Sequence, residues 1–547
     1  MADDRRDGST PDALIDRRLD RRTLLQRAGA LGLGASVVAG LPATSLAASR
    51  QEGQRGGRLR VATTGQPAGL DMHLSNQRTV TLIGWQMFEA LFTFDAEYAT
   101  VPMLAQGIEV SADGLTARVA LRQGVPFHNG AEMVADDVVA SYNRWAPVSS
   151  LGLAITPFLQ ELVEVDQYTV EFKLNKPLAA LPSMLARQAQ GLSIHPKSVV
   201  DAAGDQPLGD AGYIGTGPYQ FVERLPDRYT LLRRFEEFVG LEGPPSGYAG
   251  GKAAYLDEIE FVPVPEEAAR VAGLQSGEYH YLEEIIPDQI AVLQDYPGVT
   301  IEILPPRSYG VVILNTVAGP MANVTLRQAV QAAIEVESSG QATHGEGYFE
   351  LGPGIMMPQT AWNSEVSAEL YNQNNPEKAR QLLQQAGYDG TPIRVLATQE
   401  DLGDYNAAVV AQQQLEAAGF TIELEVTDEA TLDENLEDDA RWDITTNAYV
   451  FRPDPVLIPA FVSCTADGKW CSDPKQAAVD KLLAESDFEA RFAALEELQR
   501  VWYDEAPAIK LVNNYGVAAL SSQVQGLLGN THFEIEPEFT NCWLEEG

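Results

Sequence analysis

The chain reads as an α/β protein with a parallel sheet and more than one domain. Three observations predict this. Ile393 to Thr398, a helical segment from about Tyr405 to Ala418, and Thr421 to Val426 form a strand–helix–strand unit. Such units build parallel sheets with a right-handed crossover. Trp442 to Ala448 reads as a further buried strand of the same sheet. Finally, about 500 residues beyond the N-terminal leader exceed one hydrophobic core and imply two or three domains.

The elements follow in order. Leu59 to Thr63 is a first strand after a basic, glycine-rich lead-in, and Leu82 to Leu91 is an apolar, helix-like segment. Thr116 to Arg122 alternates, with Val119 and Leu121 on one face, as a half-buried strand does. The Asn129-Gly130 pair makes a turn. Beyond it, Asp136 and Asp137 can cap a helix whose buried face is Val138, Val139, Tyr142 and Trp145. Tyr219 to Arg224 and Ser308 to Thr316 are strands, and a helix starts at Thr325. Asn375 to Gly387 is the cleanest local signal: a cap, proline at the first helical position, an apolar stripe (Ala379, Leu382, Leu383, Ala386) and a closing glycine. Arg491 to Tyr503 is a long amphipathic helix, Asp504 to Asn514 returns as a strand, and the tail from Ser521 is irregular.

Arg441 to Pro455, RWDITTNAYVFRPDP, carries the densest chemistry. The strand breaks at Tyr449 into a loop holding Phe451, Arg452, Pro453, Asp454 and Pro455, and the prolines cannot continue a ladder. Ligands of open α/β sheets bind just beyond the carboxyl ends of strands. This loop, with aromatic faces, one cation and one anion, is either a ligand floor or an ordinary turn after a core strand.

Residues 1–47 read as a leader: Asp20-Arg21-Arg22-Thr23-Leu24-Leu25-Gln26, a weak Gly/Ala-rich apolar run to Leu41, and a small-residue exit at Ser45-Leu46-Ala47. Paired arginines ahead of such a run resemble a twin-arginine export signal cleaved after Ala47. No cysteine near the exit offers a lipid acceptor. The leader holds seven Arg and six Asp, and the whole chain is −39, so the remainder is about −40. That charge excludes nucleic acid as a partner, because phosphate recognition needs clustered Lys and Arg. Of three cysteines, Cys464 and Cys471 enclose TADGKW, whose Asp467-Gly468 favours a reversal, so a local disulfide is expected in an oxidising compartment.

Nothing nominates a reaction or a cofactor. Gly215-Thr216-Gly217-Pro218 lacks the third glycine of a nucleotide fingerprint and leads into a strand. His128 belongs to a turn, and no second histidine stands at metal-ligand spacing. No Gly-x-Ser-x-Gly elbow or His-Glu-x-x-His motif is present. Adjacent acids such as Asp136-Asp137, Glu266-Glu267 and Glu283-Glu284 diverge on a helix or strand and form no acid–base couple.

Five blocks in order carry a resemblance: VPFHNGAEMVADDVVASYNRW (125–145), GTGPYQF (215–221), LNT (314–316), LRQAVQAAI (326–334) and NPEKARQLLQQAGYDG (375–390). With them the chain resembles the family 5 extracellular solute-binding proteins, the oligopeptide- and dipeptide-binding components of ABC importers. The resemblance implies a two-lobed, class II periplasmic-binding-protein fold with an additional N-terminal α/β domain. It divides the chain into leader 1–47, lobe I from 48–88, 209–308 and 509–547, the extra domain 89–208, and lobe II 309–508. It implies a monomeric receptor without cofactor that closes by a hinge over a small-molecule or oligopeptide solute and docks on ABC permease subunits.

By residue-by-residue matching, Asn76 and Arg78 fall on the cleft side of the first domain, Tyr309 on the crossing strand and Asn513 near the returning one. Tyr449, Phe451, Arg452 and Asp454 complete the expected site. Peptide-binding relatives carry an aspartate for the peptide ammonium in a pattern like Asp-aromatic-x-Asp/Glu-Pro. Aligning Asp454-Pro455 with its end places Phe451 at that aspartate. The departure leaves an ammonium without its counter-ion, and an aromatic site suits a sugar or an apolar compound equally well. Replacing Phe451 with Ala is then expected to weaken binding without unfolding the protein. The alternatives are a secreted hydrolase, which lacks a catalytic constellation, and a cell-surface sensory protein on the same fold.

Overall fold

The first strand lies in the middle of the main sheet. β1 (Arg58–Thr63) runs parallel to two later strands, one on each side, with Leu59 and Val61 completely buried. The computed structural model describes residues 53–283, 285, 287–527 and 537–545, so the leader assigned to 1–47 lies outside the described residues.

After β1 comes a short helix, α1 (Arg78–Gly84). The helical reading of 82–91 stops there. Trp85, Met87 and Phe88 cross the core as turns and are fully buried, a state that periodicity alone cannot separate from helix. The chain then builds a separate antiparallel sheet from β2 (Ala105–Val110), β3 (Thr116–Leu121), β4 (Leu159–Asp166) and β5 (Thr169–Leu174), in the order β2-β3-β5-β4. Helix α2 (Ala135–Trp145) buries Val138, Tyr142 and Trp145, as its spacing requires. Asp137 caps it by accepting from the Val134 amide at 2.9 Å.

Returning to the main sheet, the chain adds β6 (Tyr219–Leu225), β7 (Tyr229–Arg234), β8 (Glu258–Pro263) and β9 (Tyr281–Leu282). The glycines before β6 serve packing. A Cβ on Gly215 would stand 2.2 Å from the Met87 carbonyl oxygen, so no side chain fits there. Then β10 (Val299–Leu314) runs from one half of the molecule into the other. The second half follows: α3 (Val324–Ala333), α4 (Val336–His344), α5 (Pro376–Ala386), β11 (Ile393–Thr398), α6 (Leu402–Ala418), β12 (Ile422–Thr427), β13 (Ile444–Val450) and α7 (Phe488–Glu505). Asn375 caps α5 by accepting from the Lys378 amide at 2.9 Å, and Gly387 ends it at φ 70°, which a side chain would strain. β14 (Ala508–Ser521) crosses back.

The sheet has eleven strands in the order β12-β11-β13-β10-β14-β9-β1-β8-β7-β6, with the short strand Phe349–Glu350 also pairing β14. β11 is parallel to both β12 and β13, so the strand–helix–strand unit and its third strand lie as their spacing predicts. Among the described residues, β10 and β14 are the strands that run from the half of the sheet holding β1, here lobe I, to the half holding β11, here lobe II. They pair antiparallel, and their register shifts at Leu304/Pro306, Pro306/Ser308 and Tyr309/Val311. Pro305 and Pro306 supply no amide to the ladder, so the pairing is weakest where the lobes meet.

Cys464 and Cys471 are joined, with Cα atoms 4.9 Å apart, and Cys542 is a buried free thiol. The Gly468 carbonyl inside the closed loop accepts from the Thr316 amide (3.0 Å) and hydroxyl (2.8 Å), clipping the loop to the end of β10. Among the described residues, no helix is long and apolar enough to cross a membrane.

Candidate functional site

Where β10 and β14 cross between the lobes, the structure holds a cavity of about 400 Å3. Lobe I contributes Arg78 at the start of α1, together with Ile285 and Ile290. The crossing strands contribute Arg307, Ser308, Asn514, Tyr515, Gly516 and Val517. Lobe II contributes His344, Tyr348, Asp401, Ala448 and Val450.

Each polar group is held by its element. Arg78 donates to the Glu283 carbonyl at 2.7 Å. The Glu283 carboxylate is fixed by the Thr64 amide (2.8 Å), just beyond β1, and by the Thr79 hydroxyl (2.7 Å) in the first turn of α1. Asn514 donates to the Ser308 hydroxyl across the ladder at 3.0 Å. The Tyr515 hydroxyl donates to Glu350 at 2.8 Å, and its pKa is pushed up to about 12 by burial and by that bond. Asp401 caps α6, accepting from the Asp404 amide at 3.0 Å. Burial, with Asp401 and Glu429 nearby, lifts the Asp404 carboxyl to about 7. Burial holds the His344 ring down to about 4, so it is neutral near pH 7. The lining therefore carries two arginines, one aspartate and an apolar wall.

A larger hollow of about 660 Å3 lies beside α2, but no strand of the main sheet reaches its lining. Arg144 bonds Asp71 at 2.5 Å and Lys197 bonds Asp201 at 2.6 Å. The cavity between the lobes is the better candidate. Among the described residues no group of three or more His, Cys, Asp or Glu is placed to hold a metal ion.

Comparison with known proteins identifies the family. The model of the bacterial extracellular solute-binding proteins, family 5 Middle, matches residues 99–469. This chain belongs to that family. A probable peptide ABC transporter periplasmic-binding protein, y4tO, from Sinorhizobium fredii is 27% identical over 81% of this chain and 86% of its own. The dipeptide-binding protein of Escherichia coli is 26% identical over 94% of this chain and 99% of its own. Among solved structures, the ABC transporter substrate-binding protein CtaP of Listeria monocytogenes superposes with a TM-score of 0.77 at 23% identity, covering 90% of this chain and all of CtaP. The protein is a two-lobed solute-binding receptor of the ABC-importer type.

In this solute-binding protein, one of the eight residues expected at the site lines the cavity: Arg78. Asn76 is exposed outside it. Three others miss by one position. Tyr309, Tyr449 and Asn513 are register partners across β10, β13 and β14, whereas the lining uses Ser308, Val450 and Asn514, which are also partners. Successive strand residues face opposite ways, so a one-residue slip exchanges the cavity face for the core face. Tyr309 is accordingly buried, its hydroxyl donating to the Ile355 carbonyl at 3.0 Å and its ring lying under Lys510 at 4.9 Å.

The structure places Phe451, Arg452 and Asp454 away from the lining of this cavity. Phe451 is 0% exposed and packs edge-on against Tyr98 with centroids 4.9 Å apart. Asp454 is buried between Arg491 (3.0 and 3.1 Å) and the Ser183 hydroxyl (2.9 Å). Arg452 folds back to donate to the Phe451 carbonyl at 2.8 Å. Tyr98 and Ser183 belong to the region of the separate β2–β5 sheet, so this turn is a joint between that region and lobe II.

Arg307, His344 and Asp401 escaped sequence reasoning. For Arg307 a signal existed: Pro305-Pro306 marks a break within a strand, and breaks re-aim side chains. For His344 and Asp401, at the ends of helices that meet only in the fold, no local signal exists.

Proposed function

We propose that the cavity takes a short peptide, or a solute with the same separation of charge, and that the receptor hands it to an ABC permease. The observation that carries this reading is the lining. Arg78 from lobe I and Arg307 from the crossing strand stand against Asp401 from lobe II, with Ile290, Val450 and Val517 between. In a chain of net charge −39, two arginines lining one cavity favour a carboxylate there. Guanidinium groups also match carboxylate geometry. Asp401, exposed at a helix start, serves the ammonium end in place of the aspartate missing at Phe451. The peptide- and dipeptide-binding names of the relatives support the same class.

The twin-arginine leader (Arg21-Arg22) supports delivery of the folded protein to the extracytoplasmic side, where it acts as a monomer. We read it as a receptor without chemistry of its own, closing about β10 and β14. Native mass spectrometry of the mature protein, followed by denaturation, tests this. Released peptide masses are expected. A single organic acid would keep the arginines and remove Asp401 from the reading, and fragments accumulating from an added peptide would make it a hydrolase. Calorimetry should show alanyl-phenylalanine binding more tightly than its C-terminal amide.

A further inference from the structure

Gly516 sits on β14 in the cavity wall, and its backbone lies outside the left-handed region that favours glycine. Conformation therefore does not require a glycine here. Space does. A Cβ on Gly516 would fall 2.0 Å from Cδ and 2.7 Å from Cγ of Arg307, with Cβ of Leu304 next at 3.2 Å. The aliphatic stem of Arg307 lies in the gap that the missing side chain leaves. Arg307 in turn follows Pro305-Pro306, at the register shifts of β10, and its carbonyl accepts the Phe451 amide at 2.7 Å. Its backbone is pinned on one side and its stem is seated on the other.

We propose that Gly516 is the positioning residue for Arg307: its bare Cα is the seat that aims the guanidinium into the cavity, which makes it a determinant of specificity for carboxylate-bearing solutes. The inference deepens the peptide reading and rests on it for the identity of the solute, but the seat itself is a property of the protein alone. A methyl at 516 is tolerated by the backbone and meets mainly a flexible side chain, so Arg307 swings away while the strand stays paired. Of the two cavity arginines only this one is displaced, because Arg78 is held from the other lobe by the Glu283 carbonyl.

The test uses Gly516→Ala in the mature protein. Gly107→Ala, where an added methyl meets nothing within 4 Å, serves as the control. A crystal structure of Gly516→Ala should show the Arg307 stem moved off β14 with the sheet intact. A stem still in place overturns the proposal whatever the solute is. Calorimetry with alanyl-phenylalanine should then show affinity lower by about ten- to a hundredfold in Gly516→Ala, the scale of one lost charge-assisted hydrogen bond. Arg307→Ala should lose as much, and the double variant no more than either. A further loss on adding Gly516→Ala to Arg307→Ala would show that the glycine acts through something else. If the parent protein does not bind this peptide, the peptide reading fails, and the crystal structure still decides the seat.

Discussion

Two turns of this molecule hold arginine, an acid and apolar side chains close together, and they do opposite things. At the joint, Asp454 meets Arg491 and Ser183 inside the core, and Phe451 fills the space beside Tyr98. Every charge there is answered from within the chain. At the crossing, Arg78, Arg307 and Asp401 reach a cavity of about 400 Å3 from three separate elements. The residue types are much the same, and what differs is that one group is sealed in the core while the other lines a hollow. A buried ion pair whose partners are both protein is a structural fastening, and breaking it is costly.

Acid should have the largest effect, on the fold that carries both turns. Burial holds the rings of His73 and His128 down to about 4 and that of His195 down to about 3, against an ordinary value of 6.5. As pH falls through that window the unfolded chain binds protons that the folded chain refuses. Stability is therefore fully present above pH 6.5 and falls as pH drops toward 4. The thermal midpoint should decline through this range. A flat profile would mean that the histidines are open to water.

Phe451→Ala comes next. The core reading replaces a loss of affinity with a loss of stability of ~3–5 kcal/mol, the usual cost of emptying a buried phenylalanine site. Urea denaturation measures it, and an unchanged midpoint with weakened binding would restore Phe451 to the site. Asp454→Ala strands Arg491 in the same joint at a similar cost of ~3–5 kcal/mol, with solute affinity unchanged wherever the variant folds. Arg307→Ala should invert the pattern, giving near-normal stability and affinity reduced by ~1.5–3 kcal/mol. Smallest, Tyr309→Phe removes one buried hydrogen bond, to the Ile355 carbonyl, for ~1 kcal/mol of stability and no change in affinity. A loss of affinity there would place the cavity on the other face of β10.

Much of the scaffold was legible in local pattern. The capped helix at Asn375, the parallel unit from Ile393 to Thr427 and the Cys464–Cys471 clip depend on neighbours in sequence, and each formed as its spacing required. The crossing strands were read in part. β10 extends back through Pro305 and Pro306 to Val299, further than an uninterrupted strand signal reaches.

The sequence by itself determined the class of fold, the identity of the parallel unit and the family, because short-range periodicity and the order of motifs survive without tertiary contacts. Only the tertiary structure decided which charges line the cavity. Asp454 and Asp401 look alike as isolated acids. Arg491, 37 residues further on, and Ser183, 271 residues back, close the first, while the second caps a helix at the edge of the cleft. Strand parity made the same choice for Tyr309 and Ser308. Which face of a strand meets the core depends on register against β13 and β14, and register is set by the packing of the whole sheet.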